Sequence, residues 1–108
     1  MIAELGPASE IASLGMAAYT VVDSLGVEHR VLVIRMDDAF YALGEMCSHA
    51  DVSMLGGELW PEDCAIECPK HGSLFSLETG EPSTFPATQP VPTYVITVAG
   101  EQLLLELP

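Results

Sequence analysis

Cysteine and histidine fall close together twice in this chain, as Cys47-Ser48-His49 and as Cys68-Pro69-Lys70-His71-Gly72, with eighteen residues between His49 and Cys68. Each segment offers one thiolate and one imidazole. Together they supply four soft or borderline donors, enough to close a metal site. Three chemistries use residues of these types. A structural zinc accepts cysteine and histidine, but its usual spacing is C-x2-4-C with wider histidine pairs, and C-x-H is narrow for it. A cysteine–histidine nucleophile pair, or thiols and imidazoles with unrelated roles, makes the second segment a coincidence. An iron–sulfur cluster with thiolates on one iron and imidazoles on the other uses all four residues.

Short strands must carry these segments. Glycine, proline and brief apolar runs alternate every eight to twelve residues, which predicts an all-β domain. Met16 to Val22 reads as a strand followed by the Asp23-Ser24-Leu25-Gly26 turn. Glu28 to Arg35 is the next, and its unbroken run Val31-Leu32-Val33-Ile34 predicts burial on both faces. Asp37-Asp38 turns the chain into a strand over Phe40 to Leu43. Gly57 to Trp60 and Ala65 to Cys68 are expected to pair across Pro61-Glu62-Asp63. Leu74 to Leu77 precedes a Thr79-Gly80 turn, and Thr93 to Val98 pairs with Gln102 to Leu107 across Ala99-Gly100. One helical turn is expected over Pro7 to Ile11. Residues 44–92 hold all three cysteines, two of the three histidines and six of the eight prolines. That stretch reads as a loop-rich insert on basal strands from residues 1–43 and 93–108, within a single domain spanning 1–108.

With 108 residues the chain is long enough for one core and too short for two. Its 16 acidic against 3 basic residues give a charge of -13, yet 49% of it is apolar, so acidity does not mean disorder. Nucleic-acid binding is excluded for want of a basic patch, and an anionic membrane would repel the chain. The longest uncharged stretch, Pro82 to Gly100, carries Pro82, Pro86, Pro90 and Pro92 and cannot be a membrane helix. Glu4 stands where a signal peptide needs positive charge. The expectation is a soluble, cytoplasmic protein, and an odd cysteine count fits a reducing compartment.

The order C-x-H…C-x2-H resembles the Rieske motif, and the similarity extends past the donors. It takes in Cys47-Ser48-His49-Ala50, then Cys68-Pro69-Lys70-His71-Gly72-Ser73-Leu74-Phe75, then Thr79-Gly80-Glu81-Pro82 and a proline-rich loop. The resemblance implies a Rieske-like antiparallel β-sandwich with a cluster-binding part and one [2Fe–2S] cluster per chain. Cys47 and Cys68 would bind the inner iron, and His49 and His71 the outer, solvent-facing iron. Exchanging two thiolates for two neutral imidazoles removes two negative charges, which raises the potential to about -150 to +300 mV, against roughly -400 mV for plant-type ferredoxins. High-potential members add a cysteine to each loop as a disulfide. Val52 and Lys70 occupy those positions here, so that bond cannot form. Ser73 stands where a family hydroxyl donates to a bridging sulfide. Phe75 replaces a Tyr donor, and Phe85-Pro86-Ala87, with Pro86 at its centre, would form a third loop shielding the cluster from water.

Residues outside the motif take plainer readings. Cys64 is expected to be a packed or strand-edge thiol. His29 is expected on the surface of a strand, and Trp60 as an aromatic at the sandwich edge. Lys70 is read as an exposed, inconsequential charge. The resemblance implies a free-standing ferredoxin that is a carrier and not an enzyme. It would pass single electrons, as a monomer, from a flavin-dependent reductase to the terminal oxygenase of an aromatic-ring dioxygenase system. Two relatives compete with it: an accessory ferredoxin of iron–sulfur cluster assembly, and the small subunit of a nitrite reductase.

Overall fold

The computed structural model describes residues 1–47, 52–70, 72–83 and 89–107. Among them lie ten strands: β1 (Ile2–Pro7), β2 (Met16–Val22), β3 (Glu28–Met36), β4 (Ala39–Gly44), β5 (Leu59–Trp60), β6 (Ala65–Glu67), β7 (Leu74–Ser76), β8 (Thr93–Tyr94), β9 (Ile96–Ala99) and β10 (Gln102–Glu106). A single 3-10 turn covers Ala8–Glu10. No helix of the described residues is long and apolar enough to cross a membrane.

The strands form three antiparallel sheets with orders β1-β10-β9, β2-β3-β4-β8 and β5-β6-β7. β3 is the shared wall. Its Val31, Val33 and, from β4, Ala42 face Leu103 and Leu105 of β10, whereas Leu32, Ile34 and Leu43 face Ile66 and Phe75 of the small third sheet. All four residues from Val31 to Ile34 are fully buried. The uninterrupted apolar run is therefore that of a central strand covered on both faces.

Two expectations need correction. The strand predicted over Thr93 to Val98 is broken at Val95: β8 pairs with β4, and β9 pairs with β10 in the other sheet. A two-residue strand, one crossing residue and a second strand look continuous in sequence, because β-propensity does not register a change of partner. The C-terminal hairpin turns at Gly100-Glu101, since Ala99 itself pairs with Gln102. Gly100 supplies the positive φ of 64° that this turn requires. The helical turn expected over Pro7 to Ile11 is present as the 3-10 turn over Ala8–Glu10, with Pro7 at its N-cap and Ile11 at its C-cap. Pro7 also ends β1 in extended geometry opposite Gln102, and β1 was not foreseen from the sequence.

Two glycines set how closely the third sheet and its loops approach the rest. A Cβ on Gly57 would run into the Glu67 carbonyl, and one on Gly80 into the Val91 carbonyl. Gly80 also sits at a φ of 76° while its amide donates to the Ser76 carbonyl. Only glycine fits either place.

Candidate metal centre

Cys47 follows β4 after a two-residue leg, Glu45-Met46, and Cys68 is the first residue beyond β6. The strand predicted through Cys68 stops at Glu67, which leaves the thiol at the mouth of a loop. The two loops are pinned alike. The Cys47 amide donates to the Val52 carbonyl at 2.8 Å, and the Cys68 amide donates to the Ser73 carbonyl at 2.8 Å. Each cysteine thus begins a loop whose far leg lies five residues on, and the histidine of each motif falls within that span. Gly72, with a φ of 75°, donates back to the Cys68 carbonyl and tightens the second loop.

Both thiols belong to one buried cluster with Met54, Ile66, Phe75 and Leu77, at 4% and 0% exposure for Cys47 and Cys68. Water is excluded on this side. His49, His71 and Pro86, with the rest of Phe85-Pro86-Ala87, lie outside the described residues. Among the described residues, no three of histidine, cysteine, aspartate and glutamate converge on a common point. Ser73 is fully buried beside its loop, and Phe75, paired with Ile66 across β6 and β7, is part of the core itself. Lys70 is exposed in the second loop.

The remaining singled-out residues sort cleanly. Cys64 closes the β5–β6 turn at a φ of 49° and packs on the edge of the same core, as a packed thiol should. Its hydrogen bond with the Tyr41 hydroxyl holds that phenol above its ordinary value, with burial adding to the effect. Trp60 is 40% exposed at the end of β5. His29 corrects its expectation: it is half-buried, with Nε2 2.9 Å from Asp23 Oδ2 and Nδ1 3.2 Å from the Tyr94 hydroxyl. It ties the β2–β3 turn to β8. Sequence reasoning passed over Arg30, Glu45 and Ser53, which meet at the base of the first loop.

Recesses on the described surface lie elsewhere. One of about 430 Å³ is lined by Glu58 to Glu62, and one of about 610 Å³ by residues including His29, Tyr94 and Glu106. Neither is lined by Cys47, Cys68 or Ser73.

Two water-free thiols at equal steps of two loops fit the sulfur side of a [2Fe–2S] site, and each loop carries one imidazole residue to complete it. Known proteins agree. The 3-phenylpropionate/cinnamic acid dioxygenase ferredoxin subunit of Shigella boydii is 37% identical over 78 residues, 72% of this chain and 73% of that one. The ferredoxin of carbazole 1,9a-dioxygenase from Nocardioides aromaticivorans superposes with a TM-score of 0.85 at 30% identity, covering 97% of this chain and 96% of its own. A ferredoxin solved in complex with the oxygenase of a carbazole 1,9a-dioxygenase gives a TM-score of 0.81 at 29% identity, covering 96% and 91%. The Rieske [2Fe-2S] domain model matches residues 4–95, from β1 through the switch residue between β8 and β9. The chain therefore belongs to the Rieske [2Fe–2S] domain family.

Proposed function

We propose that this protein is a one-electron carrier that delivers electrons to the terminal oxygenase of an aromatic-ring dioxygenase system. The observation that carries the reading is the pair of buried thiols, Cys47 and Cys68, placed at matching positions of two pinned loops. Relatives named as dioxygenase ferredoxin subunits, one of them solved with its oxygenase, supply the context.

A Rieske cluster, when bound, accepts and releases one electron per cycle. Cys47 and Cys68 would hold its inner iron, and His49 and His71 its outer iron. The chain's own contribution is placement. The apolar wall of Met54, Ile66, Phe75 and Leu77 keeps water from the thiolate side, which leaves the histidine side as the route for the electron. The buried Ser73 and the Phe75 ring would lie nearest the sulfurs, with Pro86 covering them from the third loop. We take the electron donor to be a flavin-dependent reductase, the working form a monomer of one domain, and the compartment the cytoplasm.

Iron and acid-labile sulfide analysis tests the reading. Two of each per chain and a rhombic EPR signal of low average g on reduction are expected. One zinc and no sulfide would overturn it. Cys47→Ser and Cys68→Ser should each lose the cluster, whereas Cys64→Ser should keep it, since Cys64 faces Tyr41 from a turn.

A further inference from the structure

Two polar or charged side chains are buried among the described residues, Glu45 and Ser73, and each lies in a leg of a thiol-bearing loop. Ser73 is a small hydroxyl. Glu45 is a carboxylate at 6% exposure, and burying a carboxylate carries a large desolvation cost unless it is paired. It is paired twice through one oxygen. Arg30 Nη2 donates to Oε2 at 3.1 Å, and Ser53 Oγ donates to the same atom at 2.6 Å. Both bonds are charge-assisted, and the Ser53 bond has the short length of the strong class.

The placement of these bonds gives them a purpose. Glu45 stands in the leg leading into Cys47, and Ser53 in the leg that leaves the loop. Backbone rungs between the legs are few: the Met46–Ser53 bridge, Cys47 to Val52, and the Met54 amide donating to the Glu45 carbonyl at 2.8 Å. So short a ladder is not rigid alone. The Glu45 side chain crosses from one leg to the other, and Arg30 fastens it to β3, where the Glu45 amide also donates to the Arg30 carbonyl at 3.0 Å. Ser53 Oγ in turn accepts from the Leu55 amide at 3.1 Å. Of three cations in a chain with 16 acids, one is committed to this buried acid.

The geometry points to Glu45 as a positioning residue that, with Arg30 and Ser53, clamps the first loop around Cys47 and sets the charge felt on that side of the cluster. This rests on the cluster assignment above. A carboxylate two residues from a cluster thiolate disfavours an added electron, and the guanidinium partly offsets it. Removing each should therefore move the potential in opposite directions. A purely structural tie would alter loading without such a signed pattern.

The test uses the holoprotein and its Glu45→Gln, Arg30→Gln, Ser53→Ala and Glu101→Gln variants. It measures reduction potential by voltammetry and the rate of iron loss to a chelator. Glu45→Gln should shift the potential up and Arg30→Gln down, the latter less because Arg30 is half exposed. Ser53→Ala should lose iron roughly tenfold faster, the worth of one hydrogen bond to a charged group. Glu101→Gln, at the far hairpin, should match the parent in iron loss. Unchanged potentials, or shifts of one sign in both variants, would overturn the clamp while leaving the cluster assignment intact. An unmodified protein without iron and sulfide would instead overturn the assignment beneath it. Should Glu45→Gln fail to fold, Arg30→Gln and Ser53→Ala decide the matter: a lowered potential with faster iron loss supports the clamp, and parental values of both overturn it.

Discussion

Phe75 is the residue on which the chemistry of the core turns. It is fully buried, pairs with Ile66 across the small sheet, and packs in the cluster that contains both loop cysteines. An aromatic ring there fills space and excludes water, but it offers no proton to sulfur. With no donor at position 75, and with Val52 and Lys70 where a loop disulfide would stand, little stabilises the extra negative charge of the reduced cluster. The potential should lie toward the low end of the Rieske range, around -100 mV or somewhat below. Phe75→Tyr adds one hydroxyl in a dry site, where a donor counts for more than it would in water. Voltammetry of that variant should show a modest rise. Truncation makes a different point: Phe75→Ala should cost about 3–5 kcal/mol in unfolding experiments, through lost burial and the cavity left behind.

At the scale of elements, the β2–β3 hairpin shows how a turn is fixed by its own first residue. Asp23 Oδ1 accepts from the Leu25 and Val27 amides, while Oδ2 meets His29, and His29 reaches on to Tyr94 in β8. The His29 hydrogen bond first, and the Val27 amide next, hold the Asp23 carboxyl below its ordinary value. A lowered carboxyl gives stability that is complete above the unfolded value of about 3.9 and is lost as pH falls through the lower folded value. Asp23→Asn should therefore lower stability at neutral pH, and urea unfolding should show the difference closing below about pH 4. The turn was legible in the sequence because Asp-x-x-Gly chemistry is local, and β3 because four buried apolar residues in a row admit few alternatives. β1 was not, since Glu4, Gly6 and Pro7 break its pattern and its partner, β10, lies a chain length away. The switch at Val95 was hidden for a related reason: which sheet a strand joins is a tertiary fact. At the site, the cysteine and histidine spacing was legible outright. Glu45 was not, because one acid among 16 is singled out only when Arg30 and Ser53 come to meet it.

For the whole molecule the governing quantity is charge. Sixteen acids against three bases leave -13, and two of the three cations are already engaged inside the fold. Arg30 pairs with Glu45. Arg35 donates to the Asp37 and Ile11 carbonyls and lies over the Phe40 ring. Lys70, exposed in the second loop, is the remaining positive side chain. A small protein with this balance carries a negative field that reaches beyond its surface, and such fields raise encounter rates with partners of opposite sign. Redox partners that present basic surfaces would be drawn in from solution before short-range contact selects the pose. The mechanism is long-ranged only while salt is low, since screening shortens its reach to about 8 Å at physiological ionic strength. Second-order electron-transfer rates with the proposed reductase and oxygenase partners should therefore fall steadily as salt is raised, and stopped-flow measurement across ionic strength checks this. Lys70→Gln separates the global field from the local loop. Steering by net charge predicts that the variant, at -14, keeps the same or a slightly steeper salt dependence. If instead Lys70 makes a specific contact with a partner's acid, the rate should drop at every salt concentration. Rates indifferent to salt in both proteins would assign the acidity to solubility alone and leave recognition to short-range contacts.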